Sequence, residues 1–134
     1  MVDEAPFARC TDGITVSVSL CYVEGPLVKA TRSHTFRMDI SIRNDRDDGV
    51  QLLERHVWAS CDGVGYHEEV GPGVVGLQPF IEPGRTFDYA WRTDMWGIRG
   101  TATGYYTFHR ATANGRRLVA HIPVVDLVPD CWLQ

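Results

Sequence analysis

Residues 35–43 read Thr-Phe-Arg-Met-Asp-Ile-Ser-Ile-Arg, and this stretch decides the fold class. Its apolar side chains alternate strictly with polar ones: Phe36, Met38, Ile40 and Ile42 against Arg37, Asp39, Ser41 and Arg43. Successive side chains of a β strand point to opposite faces of the sheet, whereas a helical apolar face recurs every three or four residues. The stretch therefore predicts a strand with one buried and one solvated face.

The same alternation runs from residue 14 to residue 22, and further β-rich segments lie at residues 50–61, 86–91, 103–111, 116–122 and 124–128. Turn signals such as Asp48-Gly49 and Pro83-Gly84 separate them, and Asn114-Gly115 is a hairpin signal. The sequence shows no long amphipathic helix. We predict an all-β fold, a single antiparallel β-sandwich of about seven strands.

Three regions follow from this pattern. Residues 1–11 are predicted to be a flexible N-terminal arm, residues 12–129 the folded domain, and residues 130–134 a C-terminal tail. The chain has 134 residues, of which 44% are hydrophobic and 22% charged, a size and composition typical of one folded domain.

The net charge of −4 argues against nucleic acid as a partner, because neutralising phosphates requires a basic surface. No apolar run approaches the ~20 residues that span a bilayer, so we expect no membrane partner. The acidic N-terminus precedes no apolar stretch of the kind found in signal peptides. The sequence predicts a cytoplasmic protein.

The cysteines are far apart and form no C-x-x-C pair; they are Cys10, Cys21, Cys61 and Cys131. Scattered cysteines of this kind are typical of free thiols in a reducing compartment. A disulfide between Cys10 and Cys131, near the two ends of the chain, is the alternative.

Residues 71–76 read Gly-Pro-Gly-Val-Val-Gly and match the letters of the dinucleotide fingerprint G-x-G-x-x-G. That motif functions by placing a pyrophosphate at the N-terminus of a helix. Here Gln78-Pro79 and Pro83-Gly84 follow, so no helix can begin. We predict a tight glycine loop that binds no dinucleotide, while an anion nest formed by the backbone of Gly71, Gly73 and Gly76 remains open.

Neither of two candidate metal sites has the required residues. Residues 44–49 resemble a calcium loop, but Arg46 occupies a ligand position and no helices flank the segment, so we interpret it as a solvated turn. The histidines are scattered without the close spacing that zinc ligands show. We predict no metal site and no cofactor.

The candidates for acid–base catalysis project from predicted strands; they are Glu54, His56, Asp88 and His109. The alternative for each is a solvated or salt-bridged surface side chain. Cys61 lies beside Asp62, but His56 is five residues away and should face the other side of a flat strand. Tyr105 and Tyr106 can orient a carbonyl group or pack as ordinary core and rim aromatics. Whether the protein is an enzyme stays open at this point.

Several motifs resemble the ApaG family, also called the ApaG domain, in order and spacing. They are Val50-Gln51-Leu52-Leu53-Glu54-Arg55-His56, Gly71 to Pro79, Pro83-Gly84, Phe87-Asp88-Tyr89, Gly104-Tyr105-Tyr106 and His121-Ile122-Pro123-Val124. The resemblance implies a fibronectin-III-like or immunoglobulin-like sandwich. It also implies an association with cobalt and magnesium resistance or efflux in bacteria, without an established reaction, and a role as a protein-interaction module in eukaryotes.

The chain departs from the family pattern at residues 90–104, where two tryptophans replace the usual Ser-Gly and Thr-Pro steps. Large rings in a turn-rich segment either pack over the core or stay exposed, where they can bind a ligand. We predict that this segment lines a binding site for a ligand or partner, formed by Trp91, Arg92, Met95, Trp96 and Arg99.

Three functional hypotheses remain. The first is a non-catalytic binding or interaction domain that recognises a protein partner and is linked to divalent-cation (Co/Mg) homeostasis. The second is a small-molecule-binding protein or enzyme with its pocket near Trp91 and Trp96. The third is a nucleotide or pyrophosphate binder using the glycine loop. A homodimer formed through an edge strand is compatible with the first.

Overall fold

The computed structural model describes residues 7–24, 33–61, 65–96, 100–112 and 114–128. Within these ranges the regular secondary structure consists of β strands, which turns and loops connect. The strands are β1 Phe7–Thr11, β2 Ile14–Glu24, β3 Ser33–Asn44, β4 Val50–Cys61, β5 Gly65–Pro72, β6 Phe80–Ile81, β7 Thr86–Trp96, β8 Gly100–Arg110 and β9 Arg117–Leu127. Within these ranges no helix is long and apolar enough to cross a bilayer.

The strands form two antiparallel sheets that pack face to face. One sheet has the order β1-β2-β3-β7 and the other the order β5-β4-β8-β9, with β6 paired to β4. The predicted all-β antiparallel sandwich is confirmed. Between the sheets lies a core formed by one alternate set of side chains from β2, β3, β4, β8 and β9, and partly buried inner side chains of β7 pack against it.

The stretch that predicted the fold behaves as its alternation requires. Phe36, Met38, Ile40 and Ile42 are at most 2% exposed, and they pair with the equally apolar inner face of β2. The predicted segments 116–122 and 124–128 form the single strand β9. The pairing of β8 with β9 shifts register between Ala102 and Gly104, and Pro123, which has no N–H to donate, lies at this irregularity.

Some strands lie where the sequence predicted none. Residues 7–11, assigned to the flexible arm, pair with β2 as strand β1, while residues 1–6 lie outside the described residues. Residues 91–96, interpreted as turn-rich, form the second half of β7. Strand β5 was not predicted at all. Cys10 and Cys21 are exposed free thiols, and Cys131 lies outside the described residues.

The turn at residues 44–49, which we interpreted as solvated, is exposed at Asp45 and Asp47 but buried at Asn44, Asp48 and Gly49. Asn44 is fully buried, and its side-chain amide donates to the carbonyl oxygens of Asp48 and Ile81. The Asp48 carboxylate accepts hydrogen bonds from Arg46 at 2.8 Å, Arg110 at 3.0 Å and Thr112 at 3.1 Å. Burial opposes ionisation of Asp48, but these donors outweigh it and lower the pKa to about 2. The turn is a polar link between β3, β4 and β8.

Candidate functional site

A row of side chains crosses the outer face of the sheet β5-β4-β8-β9. Registered pairing places Val70 of β5 beside His56 of β4, His56 beside Tyr105 of β8, and Tyr105 beside His121 of β9. Side chains that are paired directly across an antiparallel ladder lie on the same face, and the neighbours of these residues point into the core. Trp58, two residues after His56 on β4, lies on the same side. We call His56, Trp58, Tyr105 and His121 the aromatic face.

His56 is held by two hydrogen bonds. Its Nε2 bonds to the Oε2 atom of Glu68 on β5, and its Nδ1 lies 3.0 Å from the hydroxyl oxygen of Tyr105. A carboxylate can only accept, so Nε2 carries the hydrogen. In the neutral ring Nδ1 then accepts from the Tyr105 hydroxyl. Three strands are joined through this one imidazole, which fixes the orientation of its ring.

The rings of the aromatic face pack at interplanar angles of 52° to 76°, and three of the four ring pairs are edge to face. The centroid of His56 lies 5.1 Å from that of Trp58 and 5.1 Å from that of Tyr105. The rings of Trp58 and Tyr105 are 6.4 Å apart at an interplanar angle of 76°, and Tyr105 is 6.3 Å from His121. Such arrangements are favoured by the aromatic quadrupoles, so the rings support one another although no second layer covers them within the described part of the chain.

An open groove of about 390 Å³ runs along this face and is lined by His56, Trp58, Ser60 and Glu68. Its walls are an indole, an imidazole, a hydroxyl and a carboxylate. A surface of this kind can stack with a flat group, accommodate a cation or donate and accept hydrogen bonds. The described residues hold no group of three or more His, Cys, Asp or Glu side chains arranged to bind a metal ion.

Of the four predicted acid–base candidates, only His56 belongs to this cluster. Glu54 lies on the same face but forms an exposed ion pair with Arg117 at 3.8 Å. Asp88 lies on the other sheet, where it accepts a hydrogen bond of 2.6 Å from Ser41. His109 pairs with Gln51 at the far end of β8, beside Gly115. The structure does not bring the four together.

The predicted site around the two tryptophans is divided between the two faces of β7. Trp91 packs against the core, and its Nε1 donates to the Oε2 atom of Glu69 at 3.4 Å. Arg92, the next residue, is exposed on the opposite face. The side chains of Met95 and Trp96 and the whole of Arg99 lie outside the described residues. The part of this prediction that concerns them stays untested.

A polar cluster closes the gap between β5 and β7. Arg55 donates to the carbonyl oxygens of Gly73 and Pro72, and its guanidinium lies 3.5 Å from Glu69. Burial opposes ionisation of Glu69, but hydrogen bonds from His67 and Trp91 and the charge of Arg55 outweigh it and lower its pKa. These side chains pair their charges and hydrogen-bonding atoms with one another. The cluster therefore joins β5 to β7 at the open side of the sandwich.

Two tyrosines meet in the interior between the sheets. The hydroxyl groups of Tyr89 on β7 and Tyr106 on β8 are 2.5 Å apart. Burial raises the pKa of Tyr89 to about 12 and also raises the pKa of Tyr106 well above its ordinary value. Both phenols therefore stay protonated near neutral pH, and their hydrogen bond links the two sheets. Tyr106 is a core residue, whereas Tyr105 belongs to the aromatic face.

Comparisons with known proteins assign the chain to a family. The model of the ApaG domain family matches residues 26–110. The chain is 39% identical over 118 residues to Protein ApaG of Methylobacterium sp. strain 4-46, covering 87% of this chain and 88% of that protein. This chain belongs to the ApaG family. Protein ApaG of Bdellovibrio bacteriovorus is 45% identical over 102 residues, covering 75% of this chain and 78% of that protein.

The fold is also that of a solved relative of the ApaG type. The crystal structure of a Bordetella pertussis protein assigned as ApaA superimposes with a TM-score of 0.79 at 28% identity, covering 87% of this chain and 94% of that one. The resemblance inferred from the sequence motifs is confirmed.

The glycine loop that carries the ApaG resemblance is a hairpin tip. The N–H of Gly73 donates to Leu53, and Val74 and Leu77 exchange hydrogen bonds of 2.8 Å. The N–H groups of Gly73 and Val74 are thus used within the fold, and a β strand, β6, is the next element after Gly76. Gly73 also packs so closely on the Leu77 carbonyl that no side chain fits there. The N–H of Gly73 is therefore not available to an anion, while the part of the anion-nest prediction that concerns Gly71 and Gly76 stays untested in this ApaG chain.

Sequence reasoning missed Glu68, Trp58 and His121 as members of the site. The signal that could have found Trp58 is its position two residues after His56 in an alternating strand, which places both on one face. Glu68 depends on the register of β4 with β5, and no feature of the sequence predicts that register. The ApaG motifs contain His56 and Tyr105 but do not show that they touch.

Proposed function

We propose that this protein is a non-catalytic binding domain that recognises a partner protein through the outer face of the sheet β5-β4-β8-β9. The observation that carries the proposal is the aromatic face, a set of partly exposed rings in which hydrogen bonds hold His56 and Tyr105 in place. Side chains that are already ordered lose little conformational entropy when a partner binds.

The surroundings of the aromatic face support an interface. Val70 is 66% exposed beside His56, and Val124 is 58% exposed beyond His121 on β9. Apolar side chains next to Trp and Tyr, rimmed by charged residues such as Glu54 and Arg117, match the composition of protein interfaces. An ordinary solvated sheet face would carry mainly polar side chains at these positions.

A binding role fits the arrangement better than catalysis does. The hydrogen-bonded set of Glu68, His56 and Tyr105 lies on an open face, and no serine, threonine or cysteine side chain of the described residues is hydrogen-bonded to it. The enclosed space next to Trp91 is only about 10 Å³, which is too small for a ligand. The open groove therefore favours the binding of a partner over catalysis.

We further propose that this partner connects the domain to cobalt and magnesium homeostasis in the cytoplasm, the setting that the ApaG resemblance implies. The support is the relatedness to bacterial ApaG proteins, at up to 45% identity. In this proposal the chain contributes recognition, and the partner contributes the activity that handles the cation.

Site-specific photo-crosslinking tests the proposal. A photoreactive amino acid is placed at Ser60, which lines the groove, and in a matched variant at Thr86, which is exposed on the other sheet. In cells of the source organism we expect one protein to be crosslinked from Ser60 and not from Thr86. That protein, purified, should bind the wild-type chain at least about 30-fold more tightly than Trp58→Ala. Asp88→Asn is the control and should bind normally.

Two results would contradict the proposal. One is the absence of any adduct that depends on the Ser60 position. The other is an unchanged affinity of the purified partner for Trp58→Ala, measured by titration calorimetry with variants shown by circular dichroism to be folded.

A further inference from the structure

We propose that the groove on the aromatic face binds an alkylammonium group, with its positive charge between the indole ring of Trp58 and the carboxylate of Glu68. This inference deepens the proposed function, because it specifies the chemical group through which a partner is recognised. It can nevertheless be tested with small cations alone.

The two recognising groups are placed directly opposite each other. Trp58 of β4 and Glu68 of β5 are registered partners in the antiparallel ladder and project from the same face. Side chains at such positions have Cβ atoms about 5 Å apart, so a group lying over one also reaches the other. Tryptophan is the aromatic side chain that attracts cations best, since its ring carries the largest negative electrostatic potential on its face.

Glu68 has capacity for a further contact. Its Oε2 atom accepts from His56, and its Oε1 atom has no hydrogen-bond partner among the described residues. The carboxylate is partly exposed, with 41% of the side-chain surface accessible. The bond from His56 holds the carboxylate beside the groove and leaves the Oε1 atom free to interact with a ligand there.

The charge balance favours a cation over an anion. Among the described residues that line the groove, Glu68 supplies the one carboxylate, no lysine or arginine is present, and the imidazole of His56 is hydrogen-bonded to that carboxylate. Two arginines of this sheet have other partners: Arg117 is paired to Glu54, and Arg55 is bonded to backbone carbonyls on the inner side of the sheet. A negatively charged ligand would meet the Glu68 carboxylate without a compensating cation.

The shape of the groove favours a small rounded group. The rings of His56 and Trp58 meet at 71° and so present two walls at a steep angle, and Ser60 and Glu68 complete the described lining. A volume of about 390 Å³ lies at the lower end of the range for small-molecule sites, about 300–1,000 Å³. Aromatic walls with one carboxylate are the features that recognise methylated ammonium groups.

Binding of choline to the purified full-length chain tests this inference by amide and indole NMR. We expect saturable shifts centred on the Trp58 indole N–H and the Glu68 amide. The uncharged analogue 3,3-dimethyl-1-butanol, which has the same shape, should bind at least about tenfold more weakly, since it lacks the charge that the ring and the carboxylate attract.

Matched variants separate charge from shape. Glu68→Gln should weaken choline binding about fivefold or more, whereas Asp88→Asn, which removes an exposed carboxylate from the other sheet, should leave it unchanged. Trp58→Phe should retain weaker binding, because a phenyl ring attracts cations less. An acetylated trimethyl-lysine methylamide that binds more tightly than choline assigns the cation to a protein side chain. The reverse order assigns it to a free small molecule.

Equal affinity for choline and the uncharged alcohol would overturn the inference, as would the absence of saturable shifts at Trp58. These outcomes are distinct from failure of the proposed function. A groove that binds choline but gives no crosslinked partner from Ser60 retains the cation site and loses the protein-recognition role. A crosslinked partner without choline binding does the opposite.

Discussion

Gly104 of β8 packs directly against the carbonyl group of His56 on β4. A Cβ atom at position 104 would overlap the His56 carbonyl oxygen and lie 2.8 Å from the Cα atom of Val57. Only glycine allows the two strands to approach this closely, and the approach sets Tyr105 beside the His56 ring. The fold and the candidate site therefore depend on the same contact.

Gly104→Ala is expected to destabilise the protein by about 3 kcal/mol, because the new methyl group must push two paired strands apart. Urea unfolding followed by circular dichroism measures the loss. Gly84→Ala is the matched control: Gly84 has a φ of +78° but nothing within 4 Å of its added Cβ, so it should cost only about 1 kcal/mol of conformational strain. Equal losses in the two variants would show that the clash with His56 is relieved cheaply.

Asp48 makes the stability dependent on pH. Its pKa is about 2 in the folded state and near its ordinary value of 3.8 in the unfolded chain. A carboxylate with a lowered pKa contributes its full stabilisation above the unfolded value, and this contribution is lost as the pH falls from about 4 towards 2. We expect Asp48→Asn to lower the free energy of unfolding by about 2 kcal/mol at pH 7.

The pH dependence of the free energy of unfolding tests this prediction. The difference in stability between Asp48→Asn and the wild type should shrink as the pH is lowered from 5 to 2.5, as measured by denaturant titrations at each pH. A difference that stays constant over this interval would mean that the carboxylate charge is not what stabilises the turn. Asp45→Asn, on an exposed ion pair with Arg43, should show a small effect throughout.

Val75 occupies a backbone conformation that β-branched residues avoid. Its φ is +45°, and with Gly76 at +77° it forms the tip of the two-residue hairpin between Val74 and Leu77. Asparagine tolerates this conformation at hairpin turns far better than valine does. We expect Val75→Asn to raise the free energy of unfolding by about 1 kcal/mol, since the side chain of Val75 is 61% exposed and buries little.

Val74→Asn is the control for the hairpin, because Val74 is fully buried and should lose about 2 kcal/mol or more when made polar. Thermal unfolding of both variants decides the matter. A melting temperature that falls in Val75→Asn would show that the valine contributes contacts that outweigh its strain.

The sequence predicted elements whose hydrophobic pattern is local. The alternation at residues 35–43 was sufficient for β3, because one face of that strand is dry along most of its length. Strand β5 could not be found this way: Glu69 and His67 lie on its inner face, at the open side of the sandwich where Arg55 and Trp91 bind Glu69. Charged residues on the inner face remove the period-2 signal that would identify the strand.

The candidate site required contacts between distant residues. His56 could be named from the sequence because histidine is a common functional residue, but its partners are 12 and 49 residues away. Glu68 reaches it through the β4–β5 register and Tyr105 through the β4–β8 register, which contains a bulge between Leu52 and Glu54. A shift of one residue in either pairing would turn the partner to the other face, and no local pattern fixes that choice.

Trp91 and Trp58 are expected to differ sharply when truncated. Trp91 packs into the interior beside Val57, Ala102 and Ile122, and its indole N–H is used by Glu69. Trp91→Ala should therefore cost about 3 kcal/mol of stability, since a large, partly buried ring packed on the core is lost and Glu69 loses a donor. Trp58→Ala removes a ring from the outer face and should cost about 1 kcal/mol. Guanidinium unfolding of both variants gives the two values.

The stabilities of Trp91→Ala and Trp58→Ala also test whether a recognition pocket lies near Trp91, as the sequence predicted. Truncating a ring that packs in the core lowers the stability. Truncating a ring that only binds a ligand leaves the stability of the free protein nearly unchanged, because its contacts form only in the complex. If Trp91→Ala unfolds with nearly wild-type stability while Trp58→Ala loses several kcal/mol, the assignments of the two rings must be exchanged, and the groove on the aromatic face ceases to be the candidate site. Trp91→Phe, which keeps an apolar ring but not the donor to Glu69, should fall between wild type and Trp91→Ala and so separates packing from the hydrogen bond.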